Sequence, residues 1–374
     1  MPSMAIDRRR LFGTVLAGLA LPPVFAKADV PHTRLYLSAR RTKDGAFRVS
    51  AFTAQGVRHL DVALPGRGHS FAVRSDGALA VHFARRPGRF ARVLDLTGRQ
   101  VLRDIAAPEG RHFYGHGVFA ADGALLYATE NDYEAERGVI GVYDASNGYR
   151  RLGELSSHGI GPHDMRLLSD GVTLAVANGG IATRPDLPRV KLNLPTMAPS
   201  LVYLDRRDGR LLDEVRLAPE FHQLSIRHLA VGAGDRVAIA MQYEGPFGDP
   251  VPLVALHRRG EQPLLLEAPR PVLRRMRQYC GGAAFDRTGR VLAISAPRGN
   301  RLVFWDALEG RFLSSVGLAD GCGVAPTEAP GQFLASSGVG GVIVVEAETG
   351  NIRRLVSDFL DESQWDNHML AADS

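Results

Sequence analysis

The stretch HDMRLLSDGVTLAVA, His163 to Ala177, decides the fold. An apolar run, a tight Ser-Asp-Gly turn and a second apolar run spell two short antiparallel strands joined in a hairpin. The same pattern opens at His69 (HSFAVRSDGALAVHF), at His116 (HGVFAADGALLYATE) and at His228 (HLAVGAGDRVAIAMQ). It returns twice with cysteine in the lead, at Cys280 (CGGAAFDRTGRVLAIS) and Cys322 (CGVAPTEAPGQFLASS). In most units a second hairpin follows, turning at Asp95 to Gly98, Asp144 to Gly148, Asp205 to Gly209, Asp306 to Gly310 and Glu346 to Gly350.

Each unit therefore carries four strands, and successive starts lie 47, 47, 65, 52, 42 and 46 residues apart. Four-stranded units repeating at about 40–50 residues are the blades of a β-propeller. The last start, His368, supplies a single strand before the sequence stops at Ser374. Three more strands are expected near the amino end, at Arg34–Ala39, Phe47–Thr53 and Val57–Leu64, so a seventh blade closes the ring from both ends of the chain. Closure of this kind removes the open sheet edges that would otherwise invite aggregation. The expectation is an all-β, seven-bladed propeller of the YVTN/WD-like kind spanning residues 29–374.

The segment Gly161 to Gly180 closely resembles the repeat of YVTN-class propellers. The whole chain resembles the bacterial family known as domain of unknown function 1513, whose members carry twin-arginine export signals. That resemblance implies a periplasmic protein associated with iron acquisition and with iron-uptake proteins as partners; it brings no assigned activity.

Aligned at their first strands, the units lead with His69, His116, His163, His228, Cys280, Cys322 and His368. The first strand of a blade lines the central axis, so these side chains are expected to meet at one mouth of the channel. Imidazole and thiolate are the usual protein ligands of zinc, copper and iron. The ring is thus a candidate site for a transition metal, iron or copper first and zinc next, or for a non-covalently held haem. Two other readings remain open: histidines that bond backbone between blades, and a Cys280–Cys322 disulfide that leaves only histidine in the ring.

Second-strand ends return to the same face, and there Arg85, Glu130, Asn178, Tyr243 and Arg298 are candidate residues for holding a cofactor or a small anionic ligand. An insertion from Ile181 to Ser200 projects on this face as a candidate lid. Two alternatives stand beside metal binding. One is an enzyme acting on a small anionic or sugar-derived substrate, lactonase- or quinoprotein-like, with histidine and Glu130 as acid–base groups. The other is a metal-free interaction scaffold.

Composition excludes other classes. The chain has 374 residues, 45% of them apolar and 23% charged, and only two cysteines, which rules out a disulfide-dense scaffold and a disordered tail. Its net charge of +5 is concentrated at the amino end, where Arg8, Arg9, Arg10 and Lys27 face only Asp7. The rest holds 41 basic against 39 acidic residues, too even a balance for a nucleic-acid surface. Residues 1–28 read as a twin-arginine signal: Arg8-Arg9-Arg10-Leu11-Phe12, a short apolar stretch and Ala26-Lys27-Ala28. Periplasmic export follows as an expectation, with no membrane association after cleavage.

Overall fold

Seven four-stranded antiparallel sheets succeed one another around a channel. The computed structural model describes residues 34–187 and 190–373; the export signal expected over 1–28 lies outside them. Inner strands run Gly68–Val73, Arg111–Phe119, Pro162–Leu167, Leu224–Val231, Gly282–Phe285, Gly321–Pro326 and Gln364–Asp373. Closure follows the sequence reading. The carboxy-terminal strand Gln364–Asp373 pairs with Arg34–Arg41, followed outward by Phe47–Thr53 and Arg58–Ala63.

The alternation that makes each strand also makes the core. Each sheet is covered on both faces by its neighbours, so its middle strands read as nearly continuous apolar runs; Leu174, Ala175, Val176 and Ala177 are all fully buried. Phe83, Phe113 and Tyr143 pack together across one pair of adjacent blades, and Phe304 with Phe333 across another. Trp305 is wholly buried and its indole N–H donates to Glu267 O at 2.8 Å, so the largest side chain is satisfied as well as packed. The basic stretch after Glu267 forms a short helix, Arg270–Met276, held by the one buried side chain Met276. No helix among the described residues is long and apolar enough to cross a membrane.

One local irregularity recurs and positions the site. The ladder between inner and second strands slips between Gly68 and Phe71, Phe113 and Gly117, Pro162 and Asp164, Ile226 and His228, and Gly321 and Val324. On the closing strand the slip spans Trp365 to Met369. These are β-bulges, which take a residue out of the ladder and re-aim its side chain. His69, His116, His163, His228, Cys322 and His368 all sit at a bulge. The strand Gly282–Phe285 pairs without one.

Candidate metal centre

The bulges turn five imidazoles onto one another. Ring centroids lie 4.5 Å apart for His69 and His368, 4.6 Å for His163 and His228, 4.7 Å for His116 and His368, and 4.9 Å for His69 and His116. His228 and His368 are 4.8 Å apart, and His69 stacks nearly parallel on His163 at 5.7 Å. Two triads have ligand nitrogens all within 4.8 Å of one another: His69, His116 and His163, and His116, His228 and His368. His116 is common to both.

Inside a protein such a cluster is costly unless its nitrogens are used. Besides His116 Nδ1, which faces a carboxylate, five ring nitrogens of these histidines are buried with no hydrogen-bond partner among the described residues. An unsatisfied buried polar group costs about 1–3 kcal/mol. Burial, reinforced by neighbouring imidazoles, holds His69, His163, His228 and His368 well below the usual histidine range, so they are neutral and ready to ligate. Nitrogens bound to one tetrahedral ion sit roughly 3.3 Å apart, so a triad spread over up to 4.8 Å draws inward to close on one.

A carboxylate stands behind the shared histidine. Asp164 is fully buried, and its Oδ1 lies 3.1 Å from His116 Nδ1. The backbone N–H groups of Met165 and Leu229 donate to its two oxygens at 2.8 and 2.9 Å, and Arg166 pairs with it at 3.1 Å. Burial pushes this carboxyl up, but Arg166 and His116 outweigh it, so Asp164 stays ionised well below the ordinary carboxylate range. A second carboxylate, Asp366, lies 4.0 Å from His69 Nδ1 and takes Arg67 at 2.6 Å. Neither aspartate is among the sequence-derived candidates. The available signal was their position, one residue after His163 and two before His368.

The two cysteines are placed differently. Both are free thiols, and neither belongs to a triad. Cys280 precedes the one inner strand without a bulge; its backbone N–H donates to Met241 O, and its thiol faces Leu253 O at 3.6 Å in the apolar core. Burial pushes that thiol up to about 12. The thiol of Cys322 faces Asp320 Oδ1 at 3.7 Å, and burial together with that carboxylate raises it well above the usual thiol range.

Of the second-strand candidates, Arg85 and Arg298 reach the channel mouth, where they line one cavity of about 490 Å³ with Arg40 and Arg41. Glu130 does not. It is wholly buried within its own blade, accepting from Tyr143 Oη at 2.5 Å and Arg151 at 2.8 Å, and burial raises its pKa against the pull of Arg151. Asn178 is buried and donates to Ser200 Oγ in its own blade and to Ser157 O in the connection from the blade before it. The Tyr243 hydroxyl donates to Asp249 at 2.9 Å. The insertion leaves and rejoins its blade between Thr173–Asn178 and Ser200–Asp205 on the mouth side. It contacts both neighbouring blades, through Thr183 with Tyr114 and Asn131, and through Lys191 with Glu244.

The opposite end of the channel is a cavity of about 680 Å³ at the carboxyl ends of the inner strands. His228, His368, Asp164 and Arg166 are among its lining residues, with Phe71 and Phe119 in its apolar wall.

Fold and site together define a class: a seven-bladed propeller whose channel is crossed by a belt of histidines. The chain belongs to the family described as Protein of unknown function (DUF1513), whose model matches residues 62–372. No curated protein matches it in sequence. Among solved structures it is similar to a chain of Kuenenia stuttgartiensis hydrazine synthase, at 14% identity and a TM-score of 0.57 over 90% of this chain and 99% of that one. At that identity the likeness is one of fold.

Proposed function

We propose that the protein binds a first-row transition ion through the histidine belt, with His116 as the central ligand and the remaining ligands drawn from His69, His163, His228 and His368. The observation that carries the reading is the pair of triads whose buried ring nitrogens lack partners. An all-imidazole set suits copper, iron or zinc, and copper is held tightest among them. The ring pairs in contact have centroids 4.5 to 5.8 Å apart, closer than two imidazoles on opposite faces of one porphyrin, which favours a bare ion over haem. Cys280 and Cys322 lie outside the triads and serve packing in this reading. The setting we propose is periplasmic metal handling, with iron acquisition suggested by the family resemblance.

The test is elemental analysis of purified protein, followed by titration of the metal-stripped chain with Cu(II), Fe(II) and Zn(II). One ion per chain, lost when His116 and His163 are both replaced by alanine, supports the proposal. Wild-type protein that takes up no ion of the three refutes it. An enzyme using Glu130 as acid or base gains no support, because that carboxyl is enclosed and already bonded.

A further inference from the structure

Five arginines, Arg40, Arg41, Arg67, Arg85 and Arg298, line the mouth cavity with the carboxylates of Asp320 and Asp366. Arg40 pairs with Asp61 at 3.0 Å, a carboxylate it shares with Arg48; setting it aside leaves four guanidinium groups against two carboxylates. Asp366 is shared by Arg67 at 2.6 Å and Arg85 at 3.5 Å. Arg298 lies over the Tyr279 ring at 4.2 Å, and neither it nor Arg41 has a carboxylate partner among the described residues. Arg227 does not line this cavity; it is only 8% exposed, its Nε has no hydrogen-bond partner among the described residues, and its nearest carboxylate oxygen there, on Glu244, is 3.7 Å away. Cationic side chains gathered at a concave mouth beyond their counter-charges raise a positive potential that draws anions to it.

We infer that this cavity is a binding site for a small di- or tricarboxylate, held by Arg41, Arg85 and Arg298 beside the histidine belt. The guanidinium fork matches a carboxylate in two parallel bonds. The three arginines come from three different blades, so the ligand that engages them together carries several separate anionic groups. A volume of about 490 Å³ is that of a small-molecule site rather than of a single inorganic ion. Gly68 and Asn367 are in the wall, so the cavity ends one residue from His69 and one from His368, although no histidine of the belt lines it. The inference deepens the metal reading and rests on it for its purpose: such anions chelate transition ions, and a chelate anchored here presents its metal to the imidazoles. The anion contacts themselves need no metal.

The experiment is calorimetric titration of citrate into the full, metal-stripped chain, with inorganic phosphate as a parallel probe. Expected are one citrate per chain, at least tenfold weaker phosphate binding, and at least tenfold loss of citrate affinity in Arg298→Ala and Arg41→Ala. Arg298→Lys keeps the charge and loses the fork, so it should fall between alanine and wild type; thermal melting establishes that each variant is folded. Absence of citrate binding, equal binding of phosphate, or unchanged affinity in folded Arg41→Ala and Arg298→Ala proteins would overturn the inference. Citrate binding by a protein that takes up no metal would refute the metal reading while leaving the anion site intact.

Discussion

Asp164 Oδ1 lies 3.1 Å from Nδ1 of His116, the one histidine that belongs to both triads. A carboxylate behind a ligating imidazole fixes the ring and raises its basicity, and losing it typically costs 10- to 100-fold in metal affinity. Asp164→Asn preserves the shape and removes the charge. Its expected outcome is a weakening of Cu(II) or Zn(II) binding by about that factor, read by competition against a chromophoric chelator.

Gly115 sits at φ +105° in the bulge that carries His116, and a Cβ there would overlap the His69 ring. Gly115→Ala therefore combines an unfavourable backbone conformation with displacement of His69 from its place in the proposed site. A loss of roughly 1–3 kcal/mol in unfolding free energy is expected, together with weaker metal binding. A variant as stable as wild type in a urea melt would show that the bulge tolerates a side chain.

How much of this was legible from residues alone depends on what periodicity can carry. The phase shared by His69, His116 and His163 placed them on one ring, because equivalent positions of successive blades face the same axis. The phase could not say which way a side chain points, since one extra residue at a bulge reverses the alternation. Cys280 shares the phase, lacks the bulge and faces the core. Glu130 ends a strand that returns to the mouth, but alternation aims it at Tyr143 and Arg151. The supporting carboxylates Asp164 and Asp366 were missed because a repeat search finds what recurs, and each occurs in one blade.

His82 is fully buried against Phe71 with neither ring nitrogen bonded among the described residues, and burial lowers its pKa to about 3. An unfolded histidine titrates near 6.5, so below that pH the unfolded chain takes up a proton that the folded chain refuses. Its contribution to stability is complete above about pH 6.5 and declines by up to about 1.4 kcal/mol per pH unit down towards pH 3. His82→Leu should flatten this part of the stability–pH curve, measured by urea melts between pH 7 and pH 4.

Both thiols are buried and raised, so the reactive thiolate is scarce in the folded protein. Iodoacetamide at pH 8 should label neither Cys280 nor Cys322 until denaturant is added, when mass spectrometry should find both modified. Rapid labelling of native Cys322 would mean that the mouth exposes it.

His368 arrives on the carboxy-terminal strand, which docks last in sequence against Arg34–Arg41. One imidazole of the belt is consequently delivered by the clasp of the ring itself. An ion held there would rivet the closing blade to the blades that carry His116 and His228, and only molecules whose ring has shut would offer that coordination set.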